Sequence, residues 1–134
     1  MTRFLHIGQE PIDPVVQSSG RPFSATAGAA ITFLGIVRGE EAGQAIDGLD
    51  YEAFVPMAET QFHKLFDAIE QRWPMIESVR LIHRYGVVRA GEPSLWIELT
   101  APHRPEAFAA CQWLIDEMKQ VVPIWKHVIP KPSS

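Results

Sequence analysis

Five basic side chains stand where this pattern of residues gives them chemical use: Arg38, His103, Arg104, Lys119 and Lys126. Lys119 closes an amphipathic stretch. An advance of about 100° per residue from Phe108 puts Cys111, Leu114, Ile115, Met118 and Val122 in one apolar arc. Lys119 then falls about 20° from Phe108, at the edge of that arc. A lysine so placed has two readings. It packs its stem and leaves its amine in water, or it sits partly desolvated among other cations and exchanges protons near neutral pH. His103-Arg104 stands just before Pro105, where a helix begins and free N–H groups favour anions. An arginine there adds a two-pronged fork for phosphate or carboxylate, although an exposed loop pair is the plainer reading. Lys126 follows Trp125 in a short strand, a place where lysine often only guards an edge. Arg38 ends a strongly apolar strand.

Other chemistries have little support. The chain has no GxxxxGK[ST] or GxGxxG run, no HExxH, no paired CxxC and no GxSxG elbow. Phosphate-loop, zinc and serine-nucleophile readings therefore lack their motifs, and no metal or cofactor is expected. The one cysteine, Cys111, lies inside a helical stretch and reads as a small packed hydrophobe.

The 134 residues suit one domain spanning 1–134, long enough to bury a core without disulfide or metal. Net charge is −4, so wrapping of nucleic acid is not expected. Residues 1–117 hold 9 of the 12 basic groups and all 16 acids, whereas residues 118–134 hold three of the four lysines and no acid. A positive patch on an acidic body suits a small anion or an acidic tail. Met1–His6 lacks the apolar core of a signal peptide. The longest uncharged stretch, Pro22–Val37, is 16 residues long, against about 20 for a membrane span. A cytoplasmic protein is the expectation.

Apolar spacing sets the elements. Strands are predicted at Phe4–Gly8, Ala29–Val37, Leu49–Phe54, Ser78–Arg84, Ser94–Thr100 and Ile124–Ile129. Ala29–Val37 is apolar on both faces and reads as a central, covered strand. It is expected to form a hairpin with Leu49–Phe54 across a mobile Gly39–Gln44 loop. Asp13–Ser18 reads as a helical turn and Gln17–Pro22 as a turn-rich connection. Phe62, Leu65, Phe66, Ile69 and Trp73 mark a helix over Pro56–Trp73, stopped by Pro74. Pro105 opens a second, ending near Val122. Trp113 falls on its polar side, as a surface aromatic or an anchor for another chain. Two amphipathic helices on a mostly antiparallel sheet make an α+β domain.

An ordered series of segments runs through residues 28–126: Gly28–Arg38; Leu49-Asp50-Tyr51-Glu52-Ala53-Phe54; Arg72-Trp73-Pro74; Ile82-His83-Arg84-Tyr85-Gly86; His103-Arg104; Asp116-Glu117-Met118-Lys119; and Pro123-Ile124-Trp125-Lys126. In order and spacing it resembles the large, catalytic subunit of molybdopterin synthases. The resemblance implies an α/β-hammerhead fold. It implies an enzyme that moves sulfur from a ubiquitin-like small subunit, thiocarboxylated at its C-terminal Gly-Gly, to cyclic pyranopterin monophosphate. That reaction forms the molybdopterin dithiolene. It also implies a central homodimer carrying a small subunit at each end.

Residue by residue, the resemblance makes Lys119 and Lys126 catalytic. It makes Arg38, His103, Arg104, Lys119, Lys126 and His127 substrate-binding. This chain departs from the family at Ile36, where many members carry a basic residue, and at His127–Pro130, where many carry an acid. It also reads only to Ser134, where the family usually continues with a tail that reaches the partner protomer's site. The alternative is a non-catalytic module of the same fold that docks the partner tail without turnover.

Overall fold

The computed structural model describes residues 1–18 and 20–132; Ser19, within the expected Gln17–Pro22 turn, and the final Ser133–Ser134 lie outside the described residues. Eleven elements follow in order: β1 (Thr2–Gly8), α1 (Pro14–Ser18), β2 (Ala29–Ile36), β3 (Glu40–Glu41), β4 (Gln44–Ala53), α2 (Val55–Arg72), β5 (Ser78–Arg84), β6 (Gly86–Arg89), β7 (Pro93–Ala101), α3 (Arg104–Val121) and β8 (Ile124–Pro130). Pairing is antiparallel except between β1 and β5. The α+β expectation holds.

One sheet has the order β1-β5-β7-β2. Helices α2 and α3 form as their apolar spacing requires. Phe62, Leu65, Phe66 and Ile69 of α2, with Ala107, Ala110, Cys111, Leu114 and Met118 of α3, are buried in one core with Leu95, Ile97 and Leu99 of β7. Pro56 and Pro105 occupy the first turns of their helices, where a missing N–H costs nothing. Burial along β7 is continuous, because Trp96, Glu98 and Thr100 are covered on the other face. Ile12 joins Ile82 and Trp96 there, and Arg21 lies 3.5 Å from the Glu98 carboxylate. Trp113 is no isolated surface aromatic. It meets Trp73 edge-on at 5.8 Å, and the Arg72 guanidinium lies over both rings.

Two sequence expectations are corrected. The interior strands are β5 and β7, and β2 lies at the sheet edge, pairing only with β7 among the described strands. Apolar residues on both faces do not report how many strand neighbours a segment has. The β2–β4 hairpin also does not form. β4 belongs to a second sheet, where it pairs with β3, β6 and β8. The expected loop is itself a tight hairpin: Glu40–Glu41 pairs with Gln44–Ala45 across Ala42 and Gly43, both at positive φ. Gly48 allows β4 its close approach to β6, because a Cβ there would strike the Val88 carbonyl oxygen. Among the described residues no helix is long and apolar enough to cross a membrane.

Candidate active site

A groove of about 710 Å³ opens where the two sheets meet the C-terminal end of α3. This volume suits a small molecule or a narrow peptide tail. Its walls come from separate parts of the chain. The segment just after β2 contributes Arg38, the last turn of α3 contributes Lys119, and β8 contributes Lys126. Leu49 and Tyr51 of β4, His83 of β5 and Ser94–Leu95 of β7 line the interior.

Local structure explains each placement. Lys119 stands one residue beyond buried Met118, in the last helical turn. A cation is favoured there by the partial negative charge of the free carbonyls. Lys126 lies directly across the β4–β8 pairing from Tyr51, so the two side chains share a face. Its ammonium is 3.4 Å from the Glu41 carboxylate on the β3–β4 hairpin. Among the described residues Arg38 and Lys119 have neither an ion pair nor a side-chain hydrogen bond. Three cations and one carboxylate therefore line the groove of an acidic chain, a balance whose local field favours anions. Lys119 is exposed in the free chain.

His103 and Arg104 lie elsewhere. They line a separate hollow of about 350 Å³ with Gly28, Pro102 and Pro105, at the N-terminal end of α3. From Arg104 to Lys119 the helix runs about 22 Å, at about 1.5 Å per residue. One chain does not bring them together with the lysines. His127 is exposed, stands opposite Asp50, and points to the face of β8 away from Lys126. It does not line the groove. Cys111 is buried and its thiol is pushed up to about 11 by burial, so it stays protonated at neutral pH.

Four lining residues escaped the sequence reading: Glu41, Tyr51, His83 and Ser94. Tyr51 and His83 lie in the matched segments, but only the meeting of the two sheets sets them against each other, edge-on at 5.4 Å. The Tyr51 hydroxyl donates to Ser94 Oγ at 3.3 Å. Burial pushes the His83 imidazole down to about 4, so the groove floor is neutral at physiological pH.

Known proteins share this chain's sequence pattern and fold. Residues 7–121 match the model of the MoaE protein family. The molybdopterin synthase catalytic subunit of Thermoplasma volcanium is 36% identical over 128 residues, which is 94% of this chain and 90% of the relative. That of Nostoc sp. is 38% identical over 99 residues, 74% of this chain, and the match spans 60% of the relative's length. The crystal structure of molybdopterin synthase from Staphylococcus aureus superposes with a TM-score of 0.86 at 32% identity, covering 96% of this chain and 92% of that one. The same fold occurs in a protein–protein complex of subunits 1 and 2 of molybdopterin-converting factor from Helicobacter pylori, with a TM-score of 0.71 at 23% identity, covering 92% and 83%. With one family spanning nearly the whole chain in sequence and in fold, this protein belongs to the MoaE family, that of the molybdopterin synthase catalytic subunits.

Proposed function

We propose that this chain transfers sulfur from the C-terminal Gly-Gly thiocarboxylate of a ubiquitin-like partner to cyclic pyranopterin monophosphate, building the molybdopterin dithiolene in the cytoplasm. The observation that supports this best is the convergence of Arg38, Lys119 and Lys126 on one groove. Both reactants are anions, one a phosphate and the other a thiocarboxylate, and of the groove's three cations two, Arg38 and Lys119, have no ion pair among the described residues.

In each transfer the thiocarboxylate sulfur forms a bond to a substrate carbon, and the carbon–oxygen bond there breaks. The departing oxygen needs a proton, which the Lys119 ammonium supplies. The product of this step is a thioester between tail and substrate. Water then attacks the acyl carbon, the acyl–sulfur bond breaks, and the tail leaves as a carboxylate with the sulfur retained on the substrate. Lys126 stabilises the negative charge that gathers on the acyl oxygen. Glu41 holds Lys126 until an anion enters. Arg38 binds the substrate phosphate through its planar fork.

His103 and Arg104 join this scheme through a second copy of the chain. They sit at the far end of α3, so a homodimer that sets this end beside the other protomer's groove completes the anion site. His127 contacts substrate only from outside the groove, as part of such an assembly.

The test is reconstitution with a thiocarboxylated partner and the cyclic precursor, followed by the fluorescence of oxidised molybdopterin. Product that disappears in Lys119→Ala supports the reading. A tight complex that yields no product identifies a docking module instead.

A further inference from the structure

The groove floor holds a polar atom that the transfer scheme leaves unused. His83 is 6% exposed and lines the cavity. Its Nδ1 lies 2.7 Å from the Arg84 carbonyl oxygen. A carbonyl can only accept, so Nδ1 carries the proton and donates. The neutral ring has a single N–H, and Nε2 is therefore a bare lone pair. Among the described residues nothing pairs with Nε2, and it is not one of the polar atoms sealed from solvent. The ring is also fixed in place. Tyr51 meets it edge-on at an interplanar angle of 81°, and the Tyr51 hydroxyl is tied to Ser94.

We infer that His83 Nε2 is a preset hydrogen-bond acceptor on the groove floor that reads an N–H donor of the occupant, and so determines specificity in the proposed sulfur transfer. The cationic rim takes the anionic end of the ligand. The floor takes an N–H, supplied either by the reduced pterin ring or by an amide of the glycine tail. An occupant that offers only oxygen lone pairs at this point is rejected, because two acceptors would face each other out of water. This assignment rests on the reading of the groove as the transfer site.

The experiment is ¹⁵N NMR of the intact protein labelled in its histidine rings and its backbone. Cyclic pyranopterin monophosphate and a peptide ending in Gly-Gly are added separately at pH 7. In the free protein the His83 Nε2 signal is expected at the position of an unprotonated nitrogen. On saturation it moves upfield with one of the two ligands, and the ligand that moves it is the source of the N–H. An Nε2–H tautomer in the free protein overturns the inference. So do Arg38 and Lys119 amide signals that shift while Nε2 stays still. If neither ligand moves the rim amides, the transfer reading itself fails and the assignment falls with it. His83→Asn keeps a donor for the Arg84 carbonyl and removes Nε2. It is expected to raise KM for the N–H-bearing ligand about tenfold with kcat nearly unchanged. An unchanged KM for both ligands in a folded His83→Asn protein also overturns the inference.

Discussion

The two sheets of this protein are held in different ways. The β1-β5-β7-β2 sheet is covered by α2 and α3 on one face and by the segment containing Ile12 and Arg21 on the other, so its interior strands, β5 and β7, are buried over most of their length. The second sheet, in which β4 pairs with β3, β6 and β8, has a small core of Val37, Ile46, Leu49 and Val88, and β8 is exposed along most of its length. The groove lies on their boundary and draws on both. Its neutral floor, His83 and Ser94, comes from the thick sheet, while Lys126 and Glu41 come from the thin one. The contrast shows a division of labour. The thick sheet supplies the neutral floor, and the thin sheet adds Lys126 and Glu41 to the cations that stand after β2 and on α3.

Several substitutions test that difference. The largest effect is expected at the rim. Lys119→Ala should lower product formation between about a hundredfold and ten-thousandfold, with its thermal midpoint unchanged. Full turnover by this variant would remove the lysine from the chemistry. In the thick sheet's core, Phe62→Ala should cost about 3–5 kcal/mol in denaturant unfolding. Val128→Ala, on the thin sheet's exposed strand, should change stability by no more than about 0.5 kcal/mol. Equal losses for these two would mean the sheets are held alike.

The buried imidazole between the sheets adds a pH dependence. His83 titrates near 4 in the folded chain and near 6.5 when unfolded, so the unfolded chain binds more protons between these values. Its contribution, up to about 3 kcal/mol, is complete above pH 6.5 and is lost as pH falls toward 4. His83→Asn should flatten that part of a stability–pH curve; an unaltered slope would show that other groups carry it. A small effect is also expected at Glu41→Gln. The Lys126–Glu41 pair is half open to solvent, and its loss should cost less than about 1 kcal/mol, with little change in the thermal midpoint.

Much of the frame was legible in the residues. Phe62, Leu65, Phe66 and Ile69 repeat at helical spacing and are buried together. Pro105 and Pro123 bracket α3 within a residue or two of its ends. Lys119 falls at the groove's rim because helical periodicity alone sets its angle to Met118 and Val122. The partners of the strands were not legible. Apolar residues on both faces of β2 suggested a central place, but a strand's place in a sheet depends on which segments pair with it. The 40–45 hairpin is short, and its turn at Ala42-Gly43 has neither an Asn-Gly nor an Asp-Gly signature. Trp113 looked isolated because its partner, Trp73, lies far away in the chain, just past the end of α2.

By itself the sequence determined which residues carry charge, which faces of the helices are apolar, and the ordered segments that mark the family. These are local properties, set by residue type and by the repeat of helix or strand. Only the tertiary structure decided that Arg38, Lys119 and Lys126 share one groove while His103 and Arg104 stand at the other end of α3. It alone set Tyr51 against His83 across the join of two sheets. Such contacts form between segments far apart along the chain, and the free energy that selects them comes from burial and pairing summed over the whole fold.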